Sequence, residues 1–129
     1  MLQHYVLIKY KQGTSDEHIR EFCRRMLALR TTISAIEHLE IGRDILRDAR
    51  SWDVILIMRF ASTEALRTYQ KHPEHVGVMA FNQPSVADVA SFDKAVKAAA
   101  PFRDQKKRNL DSSALTRSSI ERSVTVIVG

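Results

Sequence analysis

The chain of 129 residues is poor in several things: it has one cysteine, three prolines and four glycines, and 7% of its residues are aromatic. A single cysteine, Cys23, excludes an intrachain disulfide framework and fits a reducing compartment. No apolar run approaches the roughly 20 residues that a bilayer-spanning helix needs, so no membrane partner is expected. The first residues, Met1-Leu2-Gln3-His4-Tyr5, lack a basic segment leading into an apolar one. No secretory signal is therefore read, and the cytoplasm is the expected location. No glycine-rich loop precedes a helix, which removes the phosphate-cradling motifs. The basic stretch Lys106-Lys107-Arg108 has no aromatic after it, and Phe102 is the last in the chain. A nucleic-acid surface normally combines a basic stripe with stacking rings, so nucleic acid is not an expected partner. His72 and His75 stand three apart, but Pro73 breaks the helix that would align them, and no cysteine or carboxylate cluster completes a zinc-like set. Neither metal nor cofactor is expected.

What is present suits one globular domain. Hydrophobic residues make up 44% of the chain and charged residues 27%, within a length that can bury a core. The net charge of +5 is uneven: residues 1–100 hold 14 Lys/Arg against 12 Asp/Glu, and residues 101–129 hold 6 against 3. The body is close to neutral and the tail is basic. Residues 1–93 therefore read as the folded domain, and 94–129 as a basic, Ser-rich extension. Within the extension, Ala95 to Ala100 extends as a short helix before Pro101, and Val124-Thr125-Val126-Ile127-Val128 is strand-like.

Periodicity supplies the elements. Leu2 to Lys11 reads as a strand with Leu2, His4, Val6, Ile8 and Tyr10 on one face, and Tyr5 and Leu7 on the other. Thr14-Ser15-Asp16-Glu17 has the form of a capping box with Thr14 as the cap. The helix that follows carries Ile19, Phe22, Met26, Leu29 and Ile33 at helical spacing and ends near Ser34. Glu37 to Arg43 alternates as a second strand. Trp52 to Phe60 is the strongest strand, with Trp52, Val54, Leu56, Met58 and Phe60 on one face and Ile55 and Ile57 on the other. Ser62 or Thr63 caps a second helix through Lys71, Pro73 breaks it, and His75 to Asn82 forms a short helix ended by Pro84. Ser85 to Asp93 is the last strand. The order strand, helix, strand, strand, helix, strand predicts an α+β, ferredoxin-like antiparallel sheet with helices on one face. The first and third strands are apolar on both faces, whereas an open antiparallel sheet normally shows one polar face. The helices cover only one side, so a homodimer packed sheet against sheet is expected.

The chemistry gathers in Tyr69-Gln70-Lys71-His72-Pro73-Glu74-His75. The turn at Pro73 brings His75 back toward Tyr69, and an imidazole titrating near neutrality beside a phenol can move protons. His75 is the expected base. Tyr69 is its partner or the donor to an oxyanion. His4, on the inward face of the first strand, orients a ligand or shares the proton. These residues also have structural readings: His72-Pro73 as helix-ending chemistry with the imidazole on terminal carbonyls, Tyr69 as core with a wet hydroxyl, and His4 as a hydrogen-bonded core histidine. Cys23, beside Phe22 on a helix, reads as a small, partly buried side chain rather than a nucleophile.

These residues resemble the stress-responsive A/B barrel domain (Dabb) family. The resemblance is carried by His4-Tyr5-Val6-Leu7-Ile8-Lys9-Tyr10-Lys11, Gly13-Thr14, Gly42, Trp52-Asp53-Val54, Phe60, Glu64-Ala65-Leu66, Tyr69, His72-Pro73 and His75-Val76, spread in order over residues 1–93. It implies the ferredoxin-like fold and a dimeric α/β barrel closed by two sheets. Most members are described only as stress-responsive. Within the family the pattern is similar to plant olivetolic acid cyclase-like proteins, which close a linear polyketide by intramolecular aldol condensation without a cofactor. That likeness implies catalytic roles for His75 and Tyr69, a pocket role for His4, and a small carbonyl or polyketide-like ligand. Met26 and Leu27 stand where those enzymes place an aromatic, and the tail after Asp93 departs from the pattern. The implied function is a stress-responsive protein with a small-molecule pocket and cyclase or lyase chemistry. The alternative is a non-catalytic dimeric stress-response or ligand-binding protein.

Overall fold

A computed structural model of the chain describes residues 1–97. The chain runs β1 (Leu2–Tyr10), α1 (Asp16–Thr32), β2 (His38–Arg43), β3 (Val54–Phe60), α2 (Thr63–Lys71), α3 (Pro73–Asn82), a 3-10 turn (Gln83–Ser85) and β4 (Val86–Ala95). The strands form one antiparallel sheet in the order β2-β3-β1-β4. This is the ferredoxin-like α+β fold that the element order predicts. The short helix expected from Ala95 does not begin there, because Ala95 is still the last residue of β4. The rest of that stretch from residue 98, and the strand-like Val124 to Val128, lie outside the described residues.

The core forms where the helix stripes meet the inner face of the sheet. From α1 come Ile19, Phe22, Cys23, Met26 and Leu29, and Ile33 is buried as its C-cap. From the sheet come Val54, Leu56, Met58 and Phe60 of β3, with Leu39 and Ile41 of β2. Each fully buried apolar side chain of this size contributes roughly 1.5–3 kcal/mol. Cys23 is wholly enclosed, and burial pushes its thiol up to about 11, so it stays protonated and packs as an apolar group.

Five local details differ from the periodicity reading. Ser15, not Thr14, caps α1: its Oγ accepts from the His18 N–H at 3.1 Å, while the Thr14 hydroxyl donates backward to the Lys11 carbonyl at 2.7 Å. β3 begins at Val54 rather than Trp52, because the Asp53 carboxylate takes the Tyr10 N–H at 2.7 Å and the Arg47 guanidinium at 2.5 Å. Pro73 opens α3 as well as closing α2. At a first helical position its missing N–H would have no intrahelical partner anyway. Pro84 sits inside the 3-10 turn for the same reason, and β4 runs on to Ala95. Beyond it, Val96 exchanges backbone hydrogen bonds with Met1.

Candidate functional site

The corner between α2 and α3 sets the site. The Ser62 hydroxyl accepts from the Ala65 N–H at 3.1 Å and starts α2, whose buried face carries Leu66 and Tyr69. Tyr69 packs on Phe60, ring centroids 5.2 Å apart. At the corner His72 belongs to both helices. Its N–H donates to the Tyr69 carbonyl, and its Nδ1 accepts from the Glu74 N–H at 3.1 Å. The His72 ring therefore starts α3 rather than binding the last carbonyls of α2.

One turn on, His75 folds back. Its Nδ1–H donates to the Gln70 carbonyl at 3.0 Å, and its ring lies 4.3 Å from that of Tyr69, tilted by 51°. A carbonyl oxygen only accepts, so the hydrogen of the neutral imidazole is on Nδ1 and the lone pair is on Nε2. Burial lowers the His75 pKa below the ordinary imidazole value; the Gln70 bond works against that shift, and His4 and His72 add to it. Burial moves Tyr69 the other way, raising its pKa so that the phenol stays protonated. Among the described residues the Tyr69 hydroxyl makes no hydrogen bond, so the two side chains meet by ring packing.

His4 reaches the same place from β1. It is 6% exposed, stands edge-on to Phe60, and its Nδ1 meets the Asp93 carboxylate of β4 at 2.5 Å. The register makes this contact, because His4 and Asp93 are directly paired across the two strands. Asp93 holds His4 from outside the cavity lining, and sequence reading missed it. The signal was the alternation Val89, Ser91, Asp93, which places Asp93 on the inward face once β4 is paired with β1.

His4, Tyr69 and His75 all line one open cavity of about 310 Å³ on the helix side of the sheet. Its walls are mainly apolar, from Val6, Ile8, Leu56, Met79, Val86 and Val89. Asn82, the last residue of α3, and Gln83, the first of the 3-10 turn, also line it, and both were missed because they carried no motif. Pocket and polar groups together suit a small, largely apolar molecule with a carbonyl held between an imidazole base and a phenol donor. Among the described residues no group of three or more His, Cys, Asp or Glu is arranged to hold a metal ion, and no helix is long and apolar enough to cross a membrane.

Comparison with known proteins places the chain. The family model described as Stress responsive A/B Barrel Domain matches residues 2–96. No curated protein matches the sequence. Among solved structures, a dimeric ferredoxin-like protein of unknown function from Thermobifida fusca is similar at 20% identity, covering 74% of this chain and 90% of its own, with a TM-score of 0.68. A hypothetical Arabidopsis thaliana protein is similar at 25% identity, covering 78% and 91%, with a TM-score of 0.67. A hydroxynitrile lyase from Passiflora edulis is similar at 15% identity, covering 78% and 96%, with a TM-score of 0.66.

Proposed function

We propose that this chain, which belongs to the stress-responsive A/B barrel domain family, binds a small polyketide-like carbonyl compound and moves a proton on it as a cofactor-independent cyclase or lyase. The observation that carries the reading is the Nδ1–H of His75 tied to the Gln70 carbonyl, which leaves a neutral Nε2 beside a protonated Tyr69 in an apolar cavity. In the reaction, Nε2 takes a proton alpha to a ligand carbonyl while the Tyr69 hydroxyl donates to the developing enolate oxygen. The enolate carbon then attacks a second carbonyl of the same molecule, and the His75 imidazolium returns its proton to the new alkoxide. His4, held by Asp93, orients the ligand. A neighbour in fold is a hydroxynitrile lyase, so lyase chemistry occurs on this scaffold in another protein.

The test is exchange at carbon. Heptane-2,6-dione in deuterated buffer should lose its alpha protons faster with the wild-type protein than with His75→Ala, by about 100-fold or more. Equal rates would remove His75 as the base. One observation favours the second reading, a binding protein without turnover: Tyr69 and His75 share no hydrogen bond, so the pair is not wired as a relay. Saturable binding of the dione with no exchange above buffer would select that reading.

A homodimer packed sheet against sheet is part of the same proposal. Tyr5 pairs with Ile57 and Leu7 with Ile55 on the face turned away from the helices, and Phe92, 64% exposed, stands beside Tyr5. The charged and polar Lys9, Asp88, Gln3, Arg59 and Lys94 surround this apolar centre, the arrangement of an interface core and rim. Fold neighbours from Thermobifida fusca and Bacteroides fragilis are described as dimeric. A cytoplasmic location fits the lone buried thiol of Cys23.

A further inference from the structure

Asn82 is the last residue of α3, 3% exposed, and has no place in the chemistry above. Its carboxamide oxygen is fully occupied: the Tyr10 hydroxyl donates to it at 2.7 Å and the His18 Nε2–H at 3.1 Å. Those two donors are themselves fixed. The His18 ring stacks on Phe81 with centroids 4.5 Å apart and stands edge-on to Tyr10 at 5.8 Å, while the Arg25 guanidinium caps the other ring, Phe81, at 3.9 Å.

The amino half of the carboxamide is the part left over. Among the described residues the Nδ2 hydrogens have no acceptor, and every fully enclosed side-chain nitrogen or oxygen has a partner. The Nδ2 group is therefore not enclosed. Asn82 lines the cavity and is otherwise buried, so its opening is the cavity. A buried amide donor held from behind by two side chains, with nothing to donate to, is arranged to meet an acceptor oxygen on a bound molecule.

We propose that Asn82 is a second polar anchor of the cavity, donating from Nδ2 to a carbonyl or carboxylate oxygen of the ligand, with Tyr10 and His18 as its positioning residues. The ligand class narrows accordingly. It carries two acceptor oxygens, one for the Tyr69 and His75 end and one for Asn82, joined by an apolar stretch that fits Val6, Ile8 and Met79. A mono-oxo compound of the same length satisfies only one end. The inference rests on the carbonyl-ligand reading of the same cavity, and the arms of the test separate the two.

The probes are heptane-2,6-dione and heptan-2-one, equal in length and different by one carbonyl oxygen. They are titrated into isotopically labelled full-length protein and followed by NMR at the Asn82 side-chain amide and the His75 ring. The dione should move both sets of signals together and bind about five- to tenfold tighter than the monoketone. Asn82→Asp keeps an oxygen for Tyr10 and His18 but turns the donor into an acceptor, and should bring dione affinity down to the monoketone's. Tyr10→Phe frees the carboxamide to rotate and should lower the ratio of the two affinities in part, which a merely structural role would leave unmoved. An unchanged ratio in Asn82→Asp, or Asn82 amide signals that stay still at saturation with the dione, would overturn the proposal; the second reading needs no variant to fold. Loss of binding in His75→Ala alone would overturn the Asn82 anchor and leave the His75 reading standing. Asn82-dependent binding indifferent to His75→Ala would do the reverse. No binding of either ketone to the wild type would overturn both.

Discussion

His75 donates its Nδ1 hydrogen to the carbonyl of Gln70, five residues earlier, at 3.0 Å. That bond spans the corner between α2 and α3, and it fixes both the ring's orientation and its tautomer. Burial, opposed by this bond, holds the His75 pKa below the ordinary value. In the unfolded chain the imidazole takes its proton near pH 6.5; in the folded protein it does so at lower pH. The folded state therefore binds fewer protons between those two values. Stability from this group is complete above the unfolded pKa and is lost as the pH falls through the folded one. Urea melts of the wild type at pH 7.5 and pH 5 should show a loss on acidification that is smaller in His75→Gln. Equal losses in the two proteins would mean that His75 titrates as it does in water. The acid limb of any catalysed exchange should likewise lie below the normal imidazole range.

Tyr69 and His75 differ in what their removal should do. The Tyr69 hydroxyl has no partner among the described residues, whereas its ring is packed on Phe60 and His75. Tyr69→Phe keeps the ring and should cost less than about 1 kcal/mol of stability. If the hydroxyl holds the enolate oxygen, exchange at carbon should fall about 100-fold, as for loss of one oxyanion donor. A variant that melts like the wild type and exchanges at the wild-type rate would take Tyr69 out of the chemistry.

The two hydroxyls before α1 give a local test. Ser15 supplies the cap bond to the His18 N–H, and Thr14 donates only to the exposed Lys11 carbonyl. Ser15→Ala should cost about 1 kcal/mol in urea unfolding, and Thr14→Ala markedly less. The reverse order would restore the capping box on Thr14 and Glu17.

Phe22 is fully enclosed between α1 and the sheet. Phe22→Ala should cost about 3–5 kcal/mol, since the cavity left behind adds to the lost transfer free energy. A urea midpoint close to that of the wild type would show that α1 collapses onto the sheet more freely than its packing implies.

Which parts of this molecule could be seen in the sequence follows from where single-chain periodicity is strong. β3 is buried at every second residue from Val54 to Phe60, and α1 carries an unbroken stripe from Ile19 to Leu29. Both were legible because one face of each meets the core. β4 has no such contrast, since most of its residues are exposed. Asp93 became a partner of His4 only through the register of β4 on β1, which no local pattern states. Tyr69, His75 and His4 were legible as types of residue that do chemistry. Asn82 was not, because a carboxamide acquires meaning from the groups that orient it, and Tyr10 and His18 lie 72 and 64 residues away in sequence. The Pro73 corner was half legible: a break was expected, but proline at a first helical position also begins the next helix.

The outer face of the sheet yields the last prediction. Tyr5 and Ile57 are direct cross-strand partners at its centre, with Leu7, Ile55 and Phe92 around them. Among the described residues no helix covers this side, and Phe92 keeps 64% of its surface exposed. An apolar centre with a charged rim gains by excluding water only when a second apolar surface meets it. In the proposed homodimer a second copy supplies that surface, and a two-fold relation brings each centre onto the other. Light scattering at low micromolar concentration should give twice the chain mass for the wild type. Ile57→Lys, which places an ammonium in the middle of the patch, should give the mass of one chain, or unfold at lower urea if the folded state depends on its partner. Lys9→Glu, on the rim, should leave the mass unaltered. A wild type that is monomeric under those conditions, or an Ile57→Lys protein still at twice the chain mass, would remove the sheet face as the interface.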